Sequence, residues 1–292
     1  MEEELNKICK VEYDVDLTSH NTYRIHSVGK YMVFPTSFDD VKNILDVVNK
    51  YNFKYLILGN GSNVILPEYY DGVIIKLNNL SKYEIFDDYV YAEAGVMINK
   101  LAQELVNLGY SALEWATGIP GTIGGSVYNN AGAYKSSISD VLISALVYDG
   151  KEIKEYSNSE LQFEYRDSIF KSNKNLIILS CKLKITKSDK KELKDLVIDR
   201  TNRRIQTQDL SHPSCGSVFR NPTDVPAGKL IDDLGLKGYH INDAMVSNIH
   251  ANFIINSGNA SSEDIIELIN YIKLKVKEKY NIDLVLEQEI IK

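Results

Sequence analysis

The sequence lacks the features of secreted, membrane and nucleic-acid-binding proteins. Its 292 residues include only three cysteines, Cys9, Cys181 and Cys215, which lie far apart and form no CxxC pair. This pattern is typical of reduced thiols in the cytoplasm and argues against a disulfide framework or a zinc site. No apolar run reaches the roughly 20 residues of a membrane-spanning helix. The net charge of −7 argues against nucleic acid as a partner, which usually requires a basic face. We expect a cytoplasmic protein without a metal site.

The sequence also lacks the strict dinucleotide fingerprint GxGxxG. In the segment Gly59–Val64, valine stands where the third glycine belongs. No acidic residue is evident at the end of a second strand of a βαβ unit, where a Rossmann domain would have one. The chain instead reads as β-rich segments around glycine-rich ones, followed by an α+β region. We therefore predict an α+β protein and disfavour a Rossmann fold.

Two glycine-rich segments are the most informative feature that the sequence does contain. The first, Leu58–Val64, follows a short apolar run, and the second, Gly118–Tyr134, has five glycines, two asparagines and no charge in 17 residues. Glycine allows positive φ and close approach of the backbone to a ligand, and bare N–H groups suit a pyrophosphate. A pair of tight turns is the simpler alternative. The predicted cofactor contacts are Gly59, Asn60, Gly61, Ser62, Asn63, Gly118, Gly121, Thr122, Ile123, Gly124, Gly125, Asn130, Gly132 and Ala133.

Local patterns predict several helices and strands. Ser37 is expected to cap a helix with an acidic first turn, and Gly109 to end a helix that begins at Val96. Ser261 is expected to begin a second strongly amphipathic helix. The alternating segment Asp283–Ile291 is predicted to be a closing strand. The polar stretch 187–194 is the best candidate for a domain boundary.

Arg166 stands in the segment Phe163–Phe170 among aromatic residues, where a guanidinium could stack and still bind a carboxylate or phosphate through its fork. An ion pair with Asp167 or Glu164 explains it equally well.

The segment His212–Pro222 places Cys215 and Ser217 on one face if it is extended. Either could be a nucleophile with His212 or His250 as its base, which leaves a hydrolase as a minor alternative. A buried inert thiol is the simpler interpretation of Cys215. A hydrogen-bonded core histidine explains His250 as well as a ligand contact does.

Taken together, these segments resemble the UDP-N-acetylenolpyruvoylglucosamine reductase family, in the shorter subtype without an extra substrate loop. The resemblance rests on the motifs NTYRI (21–25), LGNGSN (58–63), GIPGTIGGSVYNNAGAY (118–134), YRDSIF (165–170), PSCGSVFRNP (213–222), AGKLID (227–232) and HANF (250–253). It implies an FAD-binding fold of the vanillyl-alcohol-oxidase type at 1–186, with subdomains at about 1–80 and 81–186. A smaller α+β substrate-binding domain would occupy 187–292, with the final strand returning toward the flavin.

The resemblance also implies an activity, namely NADPH-dependent reduction of UDP-N-acetylglucosamine enolpyruvate to UDP-N-acetylmuramate in peptidoglycan synthesis. Arg166 would stabilise the developing charge, Ser217 would deliver the proton, and Glu287 would support the carboxylate. A monomer is expected. The residues that match substrate-binding positions are Tyr165, Asn221, Lys229, His250 and Arg204.

Three departures from the family pattern stand out. Gln288 and Glu289 follow Glu287 where the family has a β-branched residue and a cation, so a shift in register would give the role to Glu289. Lys135 and Asn242 stand where the family has glycine, and asparagine tolerates the left-handed conformation. A related FAD oxidase of another alcohol or sugar, or a flavin-binding protein without turnover, is the alternative function.

Overall fold

The computed structural model describes residues 1–292, which form two compact units. Unit 1 comprises Met1–Tyr13, Tyr31–Asn60 and Gly72–Thr201, and unit 2 comprises Asp14–Lys30, Gly61–Asp71 and Asn202–Lys292. The units are therefore discontinuous along the chain, since two early segments belong with the C-terminal residues. The predicted domain limits at 186 and 187 stay a prediction.

Nine helices are present. They are α1 Glu2–Ile8, α2 Phe38–Lys50, α3 Ile98–Leu108, α4 Ile123–Tyr128, α5 Ile138–Val141, α6 Ile169–Ser172, α7 Lys190–Thr207, α8 Ala227–Asp233 and α9 Ser262–Tyr280. None is long and apolar enough to span a bilayer.

The 18 strands are mostly short. They are β1 Lys10–Asp16, β2 Val28–Phe34, β3 Tyr55–Leu58, β4 Val64–Ile65, β5 Tyr69–Lys76, β6 Tyr83–Ile85, β7 Tyr89–Glu93, β8 Tyr110–Ser111, β9 Gly132–Ala133, β10 Ser136–Ser137, β11 Leu142–Tyr148, β12 Ile153–Ser157, β13 Ile177–Lys184, β14 Thr186–Lys187, β15 His240–Ile241, β16 Ala244–Val246, β17 Ile254–Asn256 and β18 Glu289–Ile290.

Unit 1 contains a five-stranded sheet, most of a four-stranded sheet and one continuous apolar core. A five-stranded sheet has the order β12-β11-β13-β7-β6, and β3 pairs in parallel with β5 in a four-stranded sheet. The predicted helix signals are confirmed here. Ser37 and Asp40 form a capping box at the start of α2, and Gly109 ends α3 with φ at 84°. These caps satisfy backbone groups that the helix ends would otherwise leave unpaired.

Unit 2 has its own core, in which α9 packs against β15 and β16 of a three-stranded antiparallel sheet. The predicted cap at Ser261 is confirmed by its capping box with Asp264. The predicted strand 283–291 is wrong in extent. Leu286 makes a single bridge with Phe219, and only β18 pairs further, in parallel with β4. The change of pairing partner interrupts the strand between these points.

Candidate functional site

The two glycine-rich segments contact each other in unit 1. Asn60 Nδ2 donates a hydrogen bond to the carbonyl of Pro120 at 2.7 Å. A Cβ atom added to Gly59 would lie 2.7 Å from Thr122 Oγ1, which is closer than real Cβ contacts come. Glycine is therefore required at 59 for the segments to approach. The prediction that these two distant segments act together is supported by this contact.

Short helix α4 shapes the second glycine-rich segment. Thr122 Oγ1 accepts a hydrogen bond from Gly125 N at 3.2 Å, which caps the helix. The amides of Ile123 and Gly124 donate to the carbonyls of Val96 and Ala94, at 2.8 and 2.9 Å. The Thr122 side chain and these two amides are thus committed to the fold of the segment.

Lys76, a residue that the sequence analysis did not select, lies beneath the first glycine-rich segment. It pairs with Leu58 across the parallel strands, and its Nζ donates to the carbonyl of Gly59 at 2.5 Å. The residue is only 4% exposed. Burial lowers the pKa of Lys76 to about 8, since the charged ammonium loses hydration. A lysine that ends the apolar run Val73–Ile75 is the signal that could have revealed it.

The first segment continues into unit 2 at Gly61. Its φ is +66°, and a Cβ atom there would lie 2.1 Å from the carbonyl oxygen of His20. Thr22 N donates to the Gly61 carbonyl at 3.1 Å. Asn63 Nδ2 donates to the carbonyl of Glu287 at 3.1 Å, which ties the segment to the C-terminal strand region.

The donor set of these segments fits the pyrophosphate of FAD. Residues 58–63 and 118–134 carry no acidic side chain, and Lys76 adds a buried ammonium beneath Gly59. Backbone amides, small hydroxyl and amide side chains and a nearby cation are the groups that bind phosphates in glycine-rich loops. In unit 1, bound FAD would be held through the main chain of Gly59, Asn60 and Gly118–Ala133, apart from the amides of Ile123 and Gly124, which the fold already uses.

Arg166 occupies a tight turn in unit 1. Glu164 and Asp167 exchange two backbone hydrogen bonds of 3.1 Å around Tyr165 and Arg166, and Arg166 has a φ of +57°. Its guanidinium donates to the carbonyls of Gly132 at 2.6 Å and Asn130 at 3.3 Å. Arg166 is therefore fastened to the end of the second glycine-rich segment, which favours a site role over a purely surface one.

Asn130 and Tyr165 both contact Arg166. Asn130 uses its side chain structurally, because Nδ2 donates to the Glu164 carbonyl at 2.8 Å and Oδ1 accepts from Ser139 N. Tyr165 is 54% exposed, with the Arg166 guanidinium 5.3 Å from its ring centroid. Lys171 Nζ donates to the Arg166 carbonyl at 2.9 Å and so supports the turn.

Ser217 lies in unit 2, between Gly216 at φ +70° and the buried Val218. It forms an antiparallel bridge with Phe253. Asn252 holds the chain just after Ser217. Its Oδ1 accepts a hydrogen bond from Phe219 N at 3.0 Å, and its Nδ2 donates to the Phe219 carbonyl at 2.8 Å. Asn252 belongs to the HANF motif but was not selected as a site residue.

Cys215 is buried and has no catalytic environment. Its Sγ contacts Thr22 Oγ1 at 3.2 Å and the carbonyls of Gly61 and Val64 at 3.6 and 3.5 Å. Burial raises its pKa to about 11, so it is a neutral thiol at physiological pH. His212 instead bonds Asp209 at 2.9 Å. These contacts disfavour the cysteine hydrolase alternative and support an inert thiol.

Glu287 lies next to the Ser217 segment, with its N–H donating to the Val218 carbonyl at 2.8 Å. Glu289 N donates to the Asn63 carbonyl at 2.9 Å. Between them, Gln288 is 3% exposed, whereas both glutamates are half-buried. The predicted alternation is thus confirmed, and both carboxylates lie opposite the buried face of this segment.

A cavity of about 540 Å³ in unit 2 brings together Ser217 and three predicted substrate-binding residues, Asn221, Lys229 and His250. Asn221 Oδ1 accepts from Ala227 N at 3.0 Å at the start of α8. Lys229 pairs with Asp233 at 2.7 Å. A fourth predicted residue, Arg204, lies on α7 and does not line this cavity.

His250 lines this cavity and also has a buried polar atom. Its Nδ1 is buried without a hydrogen-bond partner, and its ring lies 4.4 Å from that of Phe253. Burial lowers the pKa of His250, so the imidazole is neutral at pH 7. An unsatisfied buried nitrogen is compatible with the predicted ligand contact and argues against a fully hydrogen-bonded core histidine.

Both departures from glycine adopt the left-handed conformation. Lys135 has φ at +65° and Asn242 at +46°. Both positions therefore have a backbone conformation that glycine adopts most readily. The expectation that Asn242 occupies a left-handed turn is confirmed.

Two family models match separate parts of the chain. Residues 29–152 match an FAD binding domain, and residues 208–291 match the C-terminal domain of UDP-N-acetylenolpyruvoylglucosamine reductase. Among solved structures, the UDP-N-acetylenolpyruvylglucosamine reductase of Thermus caldophilus has a TM-score of 0.83 and 30% identity, over 97% of this chain and 100% of that one. A glucose dehydrogenase, Phl p 4.0202, shares the fold alone, with a TM-score of 0.53, 8% identity and coverage of 64% of this chain and 44% of that one.

Curated relatives match along nearly the whole length. The UDP-N-acetylenolpyruvoylglucosamine reductase of Bacillus subtilis (strain 168) is 38% identical over 98% of this chain and 95% of its own. The protein of that name from Francisella tularensis is 39% identical over 95% of this chain and 99% of its own. The predicted α+β FAD-binding fold and FAD cofactor are thereby confirmed, and the chain belongs to the UDP-N-acetylenolpyruvoylglucosamine reductase family.

Proposed function

We propose that this chain reduces the enolpyruvyl group of UDP-N-acetylglucosamine enolpyruvate to give UDP-N-acetylmuramate, a step of peptidoglycan and cell wall synthesis, with NADPH as the electron donor. The observation that carries the proposal is the cavity of unit 2, in which Ser217 lies with Asn221, Lys229 and His250. Family membership supplies the substrate class. We also infer a cytoplasmic location, because the reaction uses cytoplasmic nucleotides and the three cysteines are free. The expected monomer stays a prediction.

FAD, when bound and reduced by NADPH, supplies the hydride that adds to the terminal alkene carbon of the substrate. Charge then develops on the substrate carboxylate, where the guanidinium of Arg166 would stabilise it. Arg166 suits this role because carbonyl hydrogen bonds fix its orientation before substrate binds. Fixed charges of this kind need no reorganisation during the reaction.

The Ser217 hydroxyl would deliver the proton to the neighbouring carbon. A serine is a weak acid, but an enediolate-like partner is basic enough to accept its proton. Ser217 suits the role because its backbone is bound on both sides, by the bridge to Phe253 and through the Asn252 side chain to Phe219. The carboxylate of Glu287, or that of Glu289, would support the reacting end of the substrate.

The UDP portion would bind in the cavity of unit 2. Lys229 could reach a diphosphate by leaving Asp233, since both partners are substantially exposed and such pairs are weak. The neutral imidazole of His250 lines the cavity. Asn221 adds a side-chain amide. Arg204 and Tyr165 do not line this cavity, and their substrate contacts stay predictions.

A steady-state assay tests the proposal. The purified protein should be yellow and should oxidise NADPH only when the enolpyruvyl UDP-sugar is added. UDP-N-acetylglucosamine, which lacks the enolpyruvyl group, is the control and should give no oxidation. Oxygen consumption with an alcohol donor and no response to the sugar nucleotide would establish the oxidase alternative. Bound flavin without turnover of any donor would establish a binding protein.

A further inference from the structure

Gln288 makes an unusual set of contacts for a residue between two glutamates. Its Oε1 accepts a hydrogen bond from the Tyr23 hydroxyl at 2.9 Å. Its Nε2 lies 3.3, 3.4 and 3.5 Å from the carbonyl oxygens of Cys215, Gly216 and Ser217. All these residues belong to unit 2. One side-chain amide thus lies within hydrogen-bond distance of three consecutive carbonyls in the turn that contains Ser217.

Tyr23 holds the oxygen end of the Gln288 side-chain amide. The tyrosine is fully buried, and Asn256 Nδ2 donates to its backbone carbonyl at 3.0 Å. Burial raises the pKa of Tyr23 well above its usual value, so the hydroxyl stays protonated and donates. Because this hydroxyl donates to Oε1, it determines which end of the Gln288 amide faces the turn. The Nε2 group is therefore held toward the three carbonyls.

The turn depends on such support. Gly216 has φ at +70°, and a Cβ atom there would meet nothing within 4 Å, so side-chain packing does not fix this residue. Asn252 fixes the chain after Ser217, through Phe219, whereas Gln288 binds the carbonyls before and at Ser217. The orientation of the Ser217 side chain follows from the backbone that these two amides hold.

We propose that Gln288 and Tyr23 are positioning residues that orient Ser217 for proton delivery. The inference rests on the proposed function of Ser217, and neither residue is assigned a contact with substrate. Proton transfer requires hydrogen-bond distance between donor and acceptor, and a displacement of about 1 Å can cost two orders of magnitude in rate. The pair therefore sets the rate of the proton step without taking part in it.

Tyr23→Phe, Gln288→Met and the double variant test the inference. Each should retain FAD and be reduced by NADPH at the wild-type rate, because the glycine-rich segments are untouched. Product formation at saturating substrate should fall by about tenfold or more, with KM changed by less than about threefold. The solvent deuterium isotope effect on kcat should increase. The double variant should be no slower than Gln288→Met, since both changes break the same chain of contacts.

Two further variants sharpen the test. Gln288→Glu keeps an acceptor for the Tyr23 hydroxyl and replaces the amide donor by a buried carboxyl group, which when protonated donates to only one carbonyl, so kcat should fall between those of wild type and Gln288→Met. Tyr148→Phe removes a hydroxyl from another buried tyrosine, in unit 1, and should leave kcat and the isotope effect unchanged. If the Gln288 variants fail to fold, Tyr23→Phe decides alone, because it retains the buried ring.

The outcomes separate this inference from the proposed function. Normal turnover by Ser217→Ala would contradict proton delivery by Ser217, and the inference about its positioning would fail as well. If Ser217→Ala forms no product while Tyr23→Phe and Gln288→Met keep the wild-type kcat and isotope effect, the inference alone is overturned. Loss of FAD in step with lost activity in Tyr23→Phe would also overturn it, since that pattern indicates a structural role only.

Discussion

Units 1 and 2 hold their predicted site residues in opposite ways. In unit 1, the first glycine-rich segment up to Asn60 approaches the second because side chains are missing, as at Gly59 against Thr122. The Ser217 turn of unit 2 is held by side chains that are present, namely the buried amides of Gln288 and Asn252. A site that binds a cofactor through main-chain groups needs backbone that side chains do not cover. A single reacting hydroxyl instead needs neighbouring groups that fix its orientation.

The largest expected effect comes from filling the space at a required glycine. Gly61→Ala would place a Cβ atom 2.1 Å from the His20 carbonyl oxygen at a φ of +66°. We expect a loss of about 3 kcal/mol or more of stability and loss of bound flavin. Thermal melting and flavin absorbance measure both.

Gly150→Ala is the matched control for Gly61→Ala. Gly150 has φ at +91°, but a Cβ atom there would meet nothing within 4 Å. It should cost only about 1 kcal/mol and leave flavin binding unchanged. Equal effects of the two substitutions would mean that backbone strain, rather than close approach, explains Gly61.

The next effect concerns the two carboxylates beside Gln288. Removing the charge from the one that supports the substrate should lower kcat by about 100-fold, or about 2.7 kcal/mol. Glu287→Gln is expected to show this loss, and Glu289→Gln is its matched comparison on the same face. A large loss of kcat in Glu289→Gln with normal activity in Glu287→Gln would mean that Glu289, rather than Glu287, supports the substrate.

A smaller effect is expected from the second amide that holds the serine segment. Asn252→Leu removes both bonds to Phe219 and leaves a buried N–H and carbonyl unpaired, at a cost of about 2 kcal/mol. The thermal midpoint should fall while FAD is retained. Asn270, exposed on α9, is the control, and Asn270→Ala should not lower the midpoint. An unchanged midpoint in Asn252→Leu would show that these bonds are dispensable.

The smallest effect is a pH dependence from the buried lysine of unit 1. Lys76 is charged below its pKa of about 8 and neutral above it. Because FAD carries an anionic pyrophosphate, its Kd should rise by less than about tenfold between pH 7 and 9. Lys76→Met should bind FAD more weakly at pH 7 and lose this dependence, whereas the exposed Lys187→Met should behave as wild type. An unchanged pH profile in Lys76→Met would contradict the assignment.

Features that depend on local patterns could be predicted from the sequence, whereas contacts between distant residues could not. The glycine-rich segments, the caps at Ser37 and Ser261 and the end of α3 at Gly109 are local patterns, and the structure has all of them. The partners of Gln288 could not be predicted, because Tyr23 lies 265 residues away along the chain. The split of unit 2 into three chain segments is likewise a matter of long-range packing.

A titration of FAD into the flavin-free protein tests the central contrast most directly. Wild type and Ser217→Ala should bind one FAD with equal affinity, and Gly59→Val should bind none while still folding. This result would mean that the bare main chain of unit 1 holds the cofactor and that Ser217 serves only the chemistry. A wild-type protein that stays colourless after saturation with FAD, or a Gly59→Val protein that binds it normally, would contradict the account.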